Sequence, residues 1–99
     1  MSQGRPRRRV GPANFETRVA LPEDVALHAR PAANFVKTAM RFRSQVRVGV
    51  NGKIADAKSI LAVLALGATG GTTLSLTAEG DDADAALVAL AACVTGLVE

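Results

Sequence analysis

The chain has no tryptophan and no tyrosine, and only three phenylalanines among its 99 residues. Its core must therefore be built mostly from Val, Leu, Ile and Ala, and it lacks aromatic platforms for stacking nucleic-acid bases. A single cysteine, Cys93, excludes an intramolecular disulfide. With only one histidine, no Cys/His spacing suggests a zinc site. No apolar run approaches the ~20 residues needed to span a bilayer. The basic start "MSQGRPRRRV" has no apolar stretch behind it and does not read as a secretory signal. Together these absences predict a cytoplasmic chain with no metal, no cofactor and no membrane insertion. What remains, 48% apolar and 21% charged, is the composition of an ordinary globular protein with one modest core.

Charge is unevenly placed. Arg5, Arg7, Arg8 and Arg9 stand in the first ten residues without an acidic neighbour, leaving eight Lys/Arg against nine Asp/Glu elsewhere. The pI of about 9.8 thus belongs to the terminus and not to the body of the chain. Such a segment can touch nucleic acid or an acidic partner, or simply be a disordered, solubilising end. The second reading divides the chain into a basic tail, 1–13, and a folded domain, 14–99.

Within the domain the patterning is clear. Phe15, Thr17, Val19 and Leu21 alternate with polar or small residues, the period of a half-buried strand. From Ala29 the apolar positions Ala32, Phe35, Val36, Ala39 and Met40 trace one helical face, with Pro31 in the first turn and an end near Phe42. Val46, Val48 and Val50 alternate again, "NG" at Asn51–Gly52 signals a two-residue hairpin, and "KIAD" returns as a short strand. "AKSILAVLALG" predicts a short helix with Gly67 just past its end. "TTLSLTAEG" is a strand with Leu74 and Leu76 inward. The last segment is a helix with an acidic first turn and a stripe of Leu87, Leu90, Cys93, Val94 and Leu97.

The order β-α-β-β-α-β-α predicts an α/β (α+β) two-layer sandwich, with three helices on one face of a four-stranded antiparallel sheet whose other face meets water. The middle helix carries more apolar surface than one sheet contact buries. That fits either a docking surface or a tightly wedged core helix.

The one histidine, His28, falls in "ALHARPAANF" where a loop meets a helix. Backbone N–H groups and the positive end of the helix dipole converge there, which suits an anion. Arg30 adds a fixed charge that can grip phosphate oxygens, and an outward-facing imidazole nitrogen is a nucleophile suited to phosphoryl transfer. The plainer reading is a surface or capping histidine. A hydrolase is poorly supported, because no Ser or Cys nucleophile can be paired with His28 from the sequence.

These residues resemble a family. "LHARPAANFV", "NGKIADAKSILAVLALG" downstream and the element order over about residues 14–98 are similar to HPr, the histidine-containing phosphocarrier of the phosphoenolpyruvate-dependent phosphotransferase system. The resemblance implies an open-faced sandwich with sheet order 1-4-2-3. It also implies that His28 accepts a phosphoryl group on Nδ1 from enzyme I and passes it to enzyme IIA domains in carbohydrate uptake. Arg30 then stabilises the phosphate, and Leu27, Ile60, Leu61 and Leu64 belong to the partner-binding patch. Such a chain is a phosphoryl-transfer intermediate and not an independent catalyst. Ser59 matches the serine that a dedicated HPr kinase/phosphorylase modifies in many Gram-positive relatives; its alternative role is to cap the middle helix.

Two departures from the family pattern stand out. Ala26 replaces a glycine, which would strain the loop if that position requires a positive φ. "LAVLALG" replaces a methionine-rich segment of the patch. A paralogue serving nitrogen or regulatory phosphotransfer would look the same around His28. A nucleic-acid-binding module using "RPRRR" is the weaker alternative, and a purely structural module would leave His28 free to vary.

Overall fold

The computed structural model describes residues 7–98. In chain order the elements are β1 (Arg8–Gly11), β2 (Asn14–Ala20), α1 (Ala29–Ala39), β3 (Gln45–Val50), β4 (Lys53–Asp56), α2 (Ile60–Ala65), β5 (Thr73–Glu79) and α3 (Ala83–Thr95). The strands form one antiparallel sheet in the order β1-β2-β5-β3-β4. The helices pack on one another and on one face of this sheet.

The sheet has five strands where the sequence predicts four. The four predicted strands keep their predicted order, and β1 is added outside β2, with Arg8 opposite Glu16 and Arg9 opposite Phe15. Nothing in "RRRV" alternates, because an edge strand whose side chains are mostly exposed needs no apolar face. The predicted tail boundary at residue 13 therefore falls in the turn between two paired strands. Residues 1–6 of that tail lie outside the described residues.

Elsewhere the periodicities place the core well. Val19 and Leu21, Val46, Val48 and Val50, and Leu74 and Leu76 are all buried, as are Ala32, Phe35, Val36 and Ala39 of α1. Asn51 and Gly52 both take positive φ, at 52° and 85°, the geometry of the two-residue turn between β3 and β4. Met40 departs from its prediction and is 64% exposed. The helix ends at Ala39, and the bonds Arg41 N–H to Thr38 and Phe42 N–H to Ala39 tighten the chain into three-residue turns that carry Met40 off the buried face.

The acidic first turn of α3 is present as predicted, with Asp84 in it, and Asp82 just before it has a further use. The Asp82 carboxylate makes no cap bond to its own helix. It accepts the backbone N–H groups of Arg43 and Ser44, each at 2.9 Å, and the Ser44 hydroxyl, tying the α1–β3 connection to the start of α3. These bonds, the Ser44 hydroxyl foremost, hold its carboxyl below the ordinary aspartate range. Among the described residues no helix is long and apolar enough to cross a membrane, and no cluster of ligands suits a metal ion.

Candidate functional site

Strand β2 delivers the chain into a loop, residues 21–28, that is fastened at several points. Leu21 donates to Thr72 at 2.9 Å, Val25 to Pro22 at 3.1 Å and Leu27 to Ala68 at 3.0 Å. The last bond joins this loop to the segment following α2, so the start of α1 lies beside the end of α2. Gly70 lets the two loops touch: a Cβ there would stand 2.1 Å from the Glu23 carbonyl oxygen, a distance that real atoms do not reach.

His28 is the N-cap residue, immediately before α1. Its backbone is extended, at φ −83° and ψ −169°, its N–H bonds the Ala26 carbonyl at 2.8 Å, and its carbonyl accepts the Ala32 N–H at 2.8 Å. With both backbone groups engaged, the residue is fixed while its side chain stays exposed and makes no cap bond. The first-turn N–H groups of Ala29 and Arg30 have no partner within the helix. Pro31, buried in the first turn, has no N–H to leave unsatisfied. Arg30 is exposed, and among the described residues it has no carboxylate partner. Among the described residues, then, an unengaged imidazole stands beside free N–H donors and a free guanidinium, an arrangement that can hold a phosphoryl group at the ring.

Ala26 introduces no backbone strain. Among the described residues the only non-glycine position with positive φ is Asn51. The alanine therefore fits where the family pattern has glycine.

The predicted patch divides in two. Ile60 and Leu61 of α2 are exposed, Leu61 by 77%, and Leu64 is half-buried. Leu27 is 2% exposed and belongs to the core, so its predicted place on the partner surface is corrected. Its buried side chain and its bond to Ala68 anchor the residue that precedes His28. Ser59 is the N-cap residue of α2, half-buried, and its hydroxyl accepts the Ala62 N–H at 3.2 Å. The supports at Ala68 and Gly70 carry no sequence signal. "TGG" marks a loop but does not say which backbone it lies against.

Residues 15–95 match a family model described as the HPr component phosphorylation site of the phosphotransferase system. The chain is 40% identical over 83 residues to the phosphocarrier protein HPr of Vibrio cholerae, covering 84% of this chain and 98% of the relative. It is 39% identical, with the same coverage, to the corresponding protein of Buchnera aphidicola. The crystal structure of a phosphocarrier protein HPr from Bacillus anthracis superposes with a TM-score of 0.80 at 41% identity, covering 84% of this chain and 99% of the other. The chain belongs to the HPr family of phosphocarrier proteins of the phosphotransferase system.

Proposed function

We propose that His28 is the phosphoryl-carrying residue, taking the group from enzyme I and handing it to enzyme IIA domains in carbohydrate uptake. The observation that carries this reading is the held backbone and unengaged side chain of His28 at the start of α1. The Nδ1 lone pair attacks phosphorus. The donor's nitrogen–phosphorus bond breaks, and its electron pair stays on the donor ring. The same exchange in reverse passes the group on. Arg30 and the free N–H groups of the first turn balance the charge on the phosphoryl oxygens as they move between rings. Both partners use one face in turn, so each interface is small and short-lived. Ile60, Leu61 and Leu64 supply its apolar part.

Ser59 is the regulatory position in this reading, modified by an HPr kinase. Its hydroxyl already faces the start of α2, so a phosphate there gains N–H donors while placing about two negative charges beside the apolar patch. Docking to enzyme I then weakens.

The test is intact mass after incubation with phosphoenolpyruvate and active enzyme I. The expected result is the gain of one phosphate that is labile in acid, stable in mild base and absent from His28→Ala. Failure to gain it, with enzyme I active on another carrier, would overturn the assignment.

A further inference from the structure

The face of the sheet turned away from the helices carries a trough of about 440 Å³ that phosphoryl carriage does not use. Its walls come from β2, β5 and the added strand β1. In register, Arg8 lies opposite Glu16, Glu16 opposite Thr77 and Arg18 opposite Ser75. Arg18, Ser75 and Thr77 are exposed, while their neighbours Val19, Leu74 and Leu76 point into the core. The small hydroxyl side chains of Ser75 and Thr77 line it together with Arg18 and the Arg8–Glu16 pair.

The charges on this trough do not cancel. Arg7 pairs with Asp84 on α3, and Arg8 pairs with Glu16 at 2.6 Å. Arg18 has no carboxylate partner among the described residues. A concave surface with, among the described residues, one free guanidinium and two hydroxyls without partners matches a small anion that also bears hydroxyl groups.

We infer that this trough is a binding site for a small phosphorylated, hydroxyl-bearing molecule such as a sugar phosphate. Arg18 grips the phosphate oxygens, and Ser75 and Thr77 hydrogen-bond the hydroxyls. Glu16 works against the anion and occupies Arg8, so it sets the strength of the site. Removing its charge frees a second guanidinium for the ligand.

Amide-resolved NMR titration of the full chain tests this, using glucose 6-phosphate, inorganic phosphate and glucose as probes. The expected shifts fall on the amides of Arg18, Ser75 and Thr77. Glucose 6-phosphate binds more tightly than phosphate, and glucose does not bind. Arg18→Gln weakens binding by about tenfold or more, the scale of one charge-assisted hydrogen bond. Glu16→Gln tightens it severalfold. Both substitutions lie on the water-facing side of the sheet, and spectra of the free variants confirm that the fold is kept. Shifts confined to Ala29–Ala32 at the start of α1, or shifts indifferent to Arg18→Gln, would overturn the site. Glu16→Gln that fails to tighten binding would do the same. Equal affinity for phosphate and glucose 6-phosphate would overturn the sugar-phosphate assignment.

Discussion

Gly70 has no room for a side chain, and the reason lies 47 residues away in sequence, at the Glu23 carbonyl. An alanine there must push apart the two loops whose contact holds Leu27 against Ala68. Gly70→Ala is expected to cost about 1–3 kcal/mol in urea unfolding, the usual range for overpacking. It should also slow phosphorylation of His28, since a shift on the order of 1 Å can cost roughly 100-fold in rate. A phosphorylation time course on the folded variant measures this, and an unchanged rate would mean that the loop contact does not position the histidine. Asp82 gives a residue-scale prediction in pH. Its carboxyl is held below the ordinary range, first by the Ser44 hydroxyl and then by the Arg43 N–H. A depressed carboxylate stabilises the fold above its unfolded pKa of about 3.9, and that contribution is lost as pH falls through the lower folded value. Asp82→Asn should therefore be less stable than the parent at neutral pH and show a flatter decline in acid. Urea midpoints measured from neutral pH down to about pH 3 would show the two curves converging.

The elements differ in how plainly the sequence announces them. β2, β3, β5 and α1 each bury one face, and a buried face imposes a period that can be counted. The histidine, arginine and proline of the site are equally legible because they lie within four residues of one another. β1 leaves no such mark, because its pairing is carried by backbone bonds and by Arg8–Glu16, neither of which produces an apolar pattern. The burial of Leu27 is not legible, because a loop has no period to separate inside from outside, and only the Ala68 contact decides it. β1 also has a physical role as the sheet edge. Its arginines, and the irregularity in pairing between Arg9 and Gly11, discourage another strand from adding to it. Removing residues 1–13 exposes the edge of β2. The expected loss is about 1–2 kcal/mol, since the strand contributes a few exposed backbone bonds and surface ion pairs. Phosphorylation of His28 should proceed at the parental rate. A truncated chain that no longer accepts phosphate would show that the strand supports the site as well as the sheet.

At the scale of the whole molecule, charge and apolar surface are segregated. Residues 25–55 contain Arg30, Lys37, Arg41, Arg43, Arg47 and Lys53 and no acidic residue, whereas Asp81, Asp82 and Asp84 gather before and at the start of α3. Arg30 and Lys37 stand exposed on α1, which packs beside α2 and its apolar residues. This arrangement separates holding the fold from meeting a partner. Val63 of α2 is fully buried and belongs to the core, while Leu61, two residues before it, is 77% exposed and contributes almost nothing to the interior. Leu61→Ser should therefore leave stability within about 0.5 kcal/mol of the parent, the usual range for exposed positions. The same change removes an apolar group from the proposed contact with enzyme I, and a central interface residue of this kind is worth more than about 1 kcal/mol. The expected signature is a KM for the carrier raised roughly fivefold to tenfold, with kcat for phosphoryl transfer nearly unchanged, because His28 and Arg30 are untouched. A thermal melt and a steady-state assay on the same preparation separate the two effects. A lowered melting temperature with a parental KM would assign Leu61 to the fold and remove it from the docking face.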